Sequence, residues 1–248
     1  MEEVSIKPEV IFHIGSFPIT NSQITGTLVT LLFIIVARYY YLNMNKKVGK
    51  KPHLFYLLHY INYSLYNLIK NIFGEKRAEK FFYLIAGFFI YIILQNWFGL
   101  LPGIGSIVVE VYEHGEKIAV PLFRGANADI NSTLALALTS VGLTQYYGFK
   151  ILGFRGYLSK FINFSNPINF FTGILEIISE ISKVVSFSFR LFGNIFAGEV
   201  LLVIIALLVP ILASFPFLLL ELFVGFIQAL VFSVLTAVFL SIAIEKHH

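Results

Sequence analysis

The sequence predicts an all-α polytopic membrane protein: about five transmembrane helices, one interfacial amphipathic helix, and a last pair of helices long enough to demand strong tilt. Three observations carry that prediction. Of 248 residues, 57% are hydrophobic and only 13% charged, where a soluble domain has roughly 45–50% and about 25%. Mean hydropathy is +0.81. Several apolar runs reach the roughly 20 residues that a bilayer core requires.

The elements follow in order. Residues 1–23 form an outer N-terminal segment; Glu2, Glu3 and Glu9 replace the basic start that a secretory signal needs. The first span is 24–42, closed by Arg38 and the aromatic belt Tyr39–Tyr41. Residues 53–73 carry apolar side chains at helical spacing, with Asn62, Asn67, Lys70 and Asn71 on the opposite face. Basic clusters flank this helix on both sides: Lys46, Lys47, Lys50 and Lys51 before it, Lys76, Arg77 and Lys80 after it. Spanning would put one cluster outside, against the positive-inside rule, so the helix is read as lying flat.

The second span is 81–101, bordered by Trp97 and stopped by Pro102; Trp97 and the tyrosines are read as interfacial belt. An outer loop, 103–127, holds a short hairpin of Ile107–Val111 and Lys117–Leu122 around Glu-His-Gly-Glu. The third span is 130–147, and 148–165 forms a surface-lying connection. Helix 167–209 would be about 64 Å long, twice the roughly 30 Å hydrocarbon core, so it must tilt or break. Helix 214–244 follows Pro210 and also needs a steep tilt; 245–248 is a solvated tail. With the N-terminus outside and the C-terminus in the cytoplasm, cytoplasmic segments hold 13 of the 18 Lys and Arg and outer segments only three, Lys7, Lys117 and Arg124.

Composition also excludes. A net charge of +4 without a clustered basic face argues against nucleic acid as a partner. The chain has no cysteine, so disulfides, thiolate metal sites and cysteine nucleophiles are out. The histidines lack zinc-ligand spacing, and no metal or other cofactor is expected. Neither a phosphate-cradling glycine loop nor a Ser-His-Asp arrangement is visible.

The informative residues are the charges inside apolar runs. They are Asp129 at the head of the third span, Glu176, Glu180, Lys183, Arg190 and Glu199 in the fourth helix, and Glu221 with Gln228 in the fifth. A charge at bilayer depth costs several kcal/mol and normally faces a bundle interior or a water-filled path. At 3.6 residues per turn, Glu176, Lys183 and Arg190 share a face with Asn194, Glu180 lies at its margin, and Glu199 points almost the opposite way. Glu221, Gly225 and Gln228 form a stripe on the last helix. The topology then sorts the acids into an outer group (Asp129, Glu199, Glu221) and an inner group (Glu176, Glu180), with Arg190 between. Two polar half-paths about one fixed positive charge is what an ion translocator needs.

The stretch Arg190-Leu-Phe-Gly-Asn194-Ile-Phe-Ala-Gly-Glu199 closely resembles the signature of subunit a of F-type ATP synthases. Ala128-Asp129-Ile-Asn131-Ser-Thr133-Leu-Ala-Leu-Ala-Leu and Ile227-Gln228-Ala229-Leu-Val-Phe resemble two further blocks of that family, in the same order. The resemblance implies a stator subunit, not an enzyme by itself, in the membrane sector of an ATP synthase. Its partners would be c-ring subunits, the peripheral stalk subunit b, the rest of the complex and membrane lipid. It implies that Arg190 faces the rotating c-ring and acts on its carboxylate. It further implies that Asn194, Glu199, Glu221, Gln228, Asp129 and Asn131 line an outer half-channel, and Glu176, Glu180 and Lys183 an inner one. Glu221 stands where some members have a histidine partnering the acid at the Glu199 position; two close carboxylates resist ionising together. Val184 stands where some members have proline. The most natural ion is a proton, and the lack of a transit peptide points to a bacterial plasma membrane. The competing readings are a stand-alone secondary transporter with an acid-lined path, which should show repeats and paired broken helices, and a structural anchor. Seven intramembrane charges would be an unexplained cost for the anchor.

Overall fold

A computed structural model describes residues 7–46, 51–113, 116–161, 166–209 and 214–245. Lys47 and Lys50 of the basic cluster, the hairpin tip at His114 and Gly115, the break at Pro210 and the tail from Lys246 lie outside the described residues, as do Glu2 and Glu3.

The molecule is an all-α polytopic membrane protein with two small hairpins. Strands β1 (Val10–Ile14) and β2 (Phe17–Thr20) pair antiparallel within the N-terminal segment, where the sequence shows no periodic signal. Helix α1 (Asn21–Met44) starts at once, because Thr20 and Gln23 form a capping box: the Thr20 hydroxyl accepts from the Gln23 amide, and Gln23 Oε1 accepts from the Thr20 amide. Helix α2 (His53–Phe73) buries Leu65, Ile69 and Phe73 on one face. A single residue, Gly74 at φ +74°, separates it from α3 (Glu75–Phe98); that left-handed conformation suits glycine. The helix therefore begins six residues before the apolar run that announced it. Trp97, an exposed aromatic, donates from Nε1 to the Leu222 carbonyl at 3.0 Å and so also joins α3 to the last helix.

Strands β3 (Val108–Glu113) and β4 (Glu116–Pro121) pair antiparallel from Val108–Pro121 to Glu113–Glu116. Helix α4 (Ile130–Leu152) follows a 3-10 turn at Ala126–Ala128 and is capped by Asp129, whose Oδ1 accepts from the Asn131 amide at 2.9 Å. A short helix α5 (Phe154–Leu158) lies in the connection, past Gly153 at φ +76°. Helix α6 (Pro167–Leu208) runs 42 residues without interruption from a proline in its first turn, where the missing N–H costs nothing. Its length is about 63 Å. Helix α7 (Ser214–Ile244) completes the chain.

Among the described residues, α1, α3, α6 and α7 are each long and apolar enough to cross a membrane. Helix α4 is long enough but less apolar, because it spends hydroxyl and amide groups on its neighbours. Thr133 meets Ser188 of α6 at 3.2 Å, and Ser140 meets Thr236 of α7 at 2.8 Å. The core lies where α3, α4, α6 and α7 converge. Phe187 of α6 and Phe88 of α3 both pack on Phe232 of α7, with ring centroids 4.7 and 5.6 Å away, and Ile92, Leu191 and Ala229 fill the space between. A second cluster ties α2 to α3 and α7 through Ile69, Phe81, Ile85 and Leu240.

Candidate functional site

Helix α6 carries the candidate site along its length, in three stations. The middle one is Arg190, which is exposed. Its Nη2 donates to Ser186 Oγ, one turn earlier, at 3.2 Å, and among the described residues no carboxylate forms an ion pair with it. Ser186, Arg190 and Asn194 follow one another at intervals of four, all exposed, flanked by uncovered Ile181, Val185 and Phe189. A guanidinium left open between apolar side chains on a membrane helix is costly unless an anion from outside the chain meets it.

The second station is at the Glu199 end, nine residues and about 14 Å further along the axis. The loop before α4 brings Arg124 to Glu199, with Nε 3.5 Å from Oε2; the arginine side chain is 5% exposed and the glutamate 33%. Arg124 is held from several sides. Its backbone amide donates to Thr25 Oγ1 at 3.2 Å, its Nη1 donates to the Lys7 carbonyl at 3.2 Å, and its guanidinium lies 5.9 Å from the Phe196 ring centre. Asp129, also buried, has both oxygens engaged: Oδ1 by Asn131, whose side-chain amide donates at 3.0 Å, and Oδ2 by Ser22 Oγ at 2.7 Å. Glu221 of α7 is buried with its carboxyl against Gly198, where any Cβ would collide with it. The two acids expected to partner each other thus have different companions: Glu199 takes Arg124, and Glu221 takes the bare backbone of α6. A line of amides runs alongside, Asn127 Nδ2 donating to Asn96 Oδ1 at 2.7 Å and Asn96 Nδ2 to the Gly225 carbonyl at 2.8 Å. Gln228, half-buried, is the next polar residue of α7 on that stripe.

The third station is at the Glu180 end, ten residues and about 15 Å from Arg190 in the other direction. Lys183 Nζ pairs with Glu180 Oε1 and lies 4.8 Å from the Phe239 ring centre. Gln145 Nε2 donates to Glu180 Oε2 at 2.7 Å, and Tyr157 Oη donates to Gln145 Oε1 at 2.7 Å. Burial first, then the nearby charges of Glu180 and Glu176, push the Tyr157 phenol up to about 12. Lys160 Nζ sits 3.4 Å from the carbonyls of Ile242 and Ala243 at the end of α7. Burial pulls its pKa down, against the charges of Glu176 and Glu180. Glu176 is half-buried one turn before Glu180.

The sequence-predicted residues therefore fall into two polar clusters at either end of α6, with Arg190 and Asn194 on an open face between them. Arg124, Gln145 and Tyr157 were missed. Arg124 reads as one more loop charge, and its burial depends on the loop before α4 packing between the start of α1 and α6. Tyr157 reads as an interfacial aromatic. Among the described residues there is no group of three His, Asp or Glu that could hold a metal ion.

The family model described as ATP synthase A chain matches residues 23–241. The chain is 29% identical to ATP synthase subunit a of Moorella thermoacetica over 246 residues, covering 98% of this chain and 99% of the relative. It is 32% identical to ATP synthase subunit a of Gloeobacter violaceus over 246 residues, covering 98% and 92%. It is 35% identical to that of Campylobacter jejuni subsp. doylei over 180 residues, covering 71% and 70%.

Proposed function

Since the chain belongs to the ATP synthase A chain family, we propose that it is the ion-translocating stator subunit of a rotary F-type ATP synthase. It works beside a c-ring and a peripheral stalk, in a bacterial plasma membrane. Five helices, α1, α3, α4, α6 and α7, cross the bilayer, with the N-terminus outside and the C-terminus in the cytoplasm. Helix α2 lies flat, and α6 and α7 tilt along the ring. The Glu199 end of α6 is the outer half-channel and the Glu180 end the inner one. The observation that carries this is the open Arg190 between two polar clusters that do not touch it.

The mechanism follows from charge. A ring carboxylate facing lipid is neutral, because ionising it there is expensive. Opposite Arg190 its charged form is stabilised and it releases its ion, which leaves through the Glu180 end. An ion arriving by Glu199, Glu221 and Gln228 reloads the carboxylate before it returns to lipid. Arginine suits the barrier because it does not deprotonate. The membrane potential supplies about 2.3 kcal/mol per charge per 100 mV, and rotation passes this to nucleotide chemistry on other subunits.

The test is Arg190→Ala in the assembled, reconstituted complex. Arg190 is exposed with Ser186 as its hydrogen-bond partner, so the variant should assemble at wild-type level. Ion-driven ATP synthesis should be abolished. Synthesis at the normal rate would sink the mechanism.

A further inference from the structure

We propose that the groove between α1 and α3, at the end where α2 packs against both, holds one anionic phospholipid, an acyl chain in the cavity there and the headgroup among Lys46, Lys51 and Lys80. The proposal rests on the reading above that this end of the bundle faces the cytoplasm, and it does not draw on ion translocation.

The groove follows from how α1 is held. Toward the outer side it meets α3: Gln95 Nε2 donates to the Gly26 carbonyl at 3.4 Å, the Thr30 and Tyr91 hydroxyls are 3.4 Å apart, and Phe33 packs edge-on to Tyr91. Further down, α1 turns to α2 instead. Tyr40 Oη lies 3.1 Å from His59 Nδ1, and the Tyr40 ring stacks on Phe55 at 5.4 Å. Between these attachments lies a cavity of about 330 Å³, lined by Phe33, Ala37 and Tyr40 of α1, Leu58 of α2, and Ala86 and Gly87 of α3. That is within the size range of small-molecule sites. Gly87 leaves its share open, since a Cβ there would meet nothing within 4 Å. The lining is apolar apart from tyrosine hydroxyls and Asn62, whose amide is spent on the Leu58 carbonyl. Tyr41 and Tyr83 on its rim are exposed. An α-helix with its side chains is about 10 Å across, too wide for this cavity, whereas an acyl chain fits.

The charge beside the cavity names the lipid. Lys51 Nζ lies 4.4 Å from the centre of the Phe55 ring, on which Tyr40 stacks. Lys46 follows the cavity residue Met44 by two positions and donates from Nζ to Asn43 Oδ1 at 3.1 Å. On α3, Lys76, Lys80, Tyr83 and Gly87 fall at intervals of four, three and four, one face of a helix, so the lysines continue the cavity wall beyond its end. Glu79 points about 100° away from Lys80, and Glu75 is taken by Lys70. Among the described residues no carboxylate forms an ion pair with Lys46, Lys51, Lys76 or Lys80. Basic pockets between membrane helices on the cytoplasmic side bind anionic headgroups. A zwitterionic lipid would bring its own ammonium group up to these lysines.

The experiment counts the phospholipid retained by the intact complex after detergent purification, lipid stripping and incubation with phosphatidylglycerol or phosphatidylcholine in mixed micelles. Wild type should retain one phosphatidylglycerol that Gly87→Leu, which fills the cavity, does not. Lys51→Gln/Lys80→Gln leaves the cavity open and should hold that lipid about thirtyfold more weakly, about fivefold for each lysine removed. Equal retention of phosphatidylglycerol by wild type and Gly87→Leu would overturn the proposal. So would equal filling of the site by phosphatidylcholine, or unchanged affinity in the lysine variant. Loss of a stalk subunit from Gly87→Leu with the lipid count unchanged would put a protein in the groove and overturn it too. The orientation is read separately. Asn45→Cys, in a chain that has no cysteine, should react with a membrane-impermeant maleimide from the cytoplasmic side; reaction from the outer side would sink that reading, whatever the lipid count.

Discussion

Replacing Arg124 with glutamine removes a charge that stands 3.5 Å from Glu199, with 5% of the arginine side chain and 33% of the glutamate exposed. At an effective dielectric constant of about 20, the attraction at that distance is about 5 kcal/mol. Removing one partner of a buried pair costs about 3–5 kcal/mol, mostly from stranding the other charge. A third of the Glu199 side chain is left uncovered by the chain, so the lower end, about 3 kcal/mol, is expected. The arginine also holds the Lys7 carbonyl and lies near Phe196, and a single variant would mix these losses. A cycle of Arg124→Gln, Glu199→Gln and the double variant isolates the pair. Each single variant should lower the thermal dissociation midpoint of the assembled complex. The double variant should recover about 2–3 kcal/mol relative to the sum. A coupling below about 0.5 kcal/mol would refute the ion pair as the reason Arg124 is buried.

Two glycines give contrasting predictions. Gly198→Ala places a Cβ against the Glu221 carboxyl, the movable end of a side chain, so the chain should fold normally while Glu221 is displaced. Assembly at wild-type level with ATP-driven ion pumping reduced at least about tenfold (about 1.4 kcal/mol of barrier) is expected, and wild-type pumping would count against Glu221 as a path residue. Gly173→Ala instead drives a Cβ into the Phe161 carbonyl, which cannot swing away. A cost of about 1–3 kcal/mol should appear as a lower midpoint and less assembled complex, and an unchanged midpoint would show that the 161 segment is free to give.

The membrane class, the order of the helices and the identity of the charged face were legible in the chain itself, because they are written in local periodicity. The apolar stripe of α2, the unbroken 3.6-residue pattern from Pro167 to Leu208 and the opposition of Arg190 and Glu199 around α6 all follow from 1.5 Å and 100° per residue. The capping of α4 by Asp129 is similarly local. Helix limits were less legible: α3 starts in the charged stretch Glu75–Lys80, where helix propensity is high but hydropathy is silent. The N-terminal hairpin and α5 are too short for a periodic signal.

What only the tertiary structure decided is which polar groups meet. Sequence order and helical phase could name Glu199 and Glu221 as neighbours in depth, yet the partner of Glu199 comes from a loop 75 residues earlier, and Glu221 faces a glycine. The same holds at the other end, where Tyr157 reaches Glu180 by way of a glutamine on a third helix. The physical reason is range. Periodicity fixes the direction of a side chain relative to its own axis, whereas pairing depends on how separate helices approach and rotate, which the whole core sets at once through contacts such as Phe187 on Phe232 and Trp97 on Leu222.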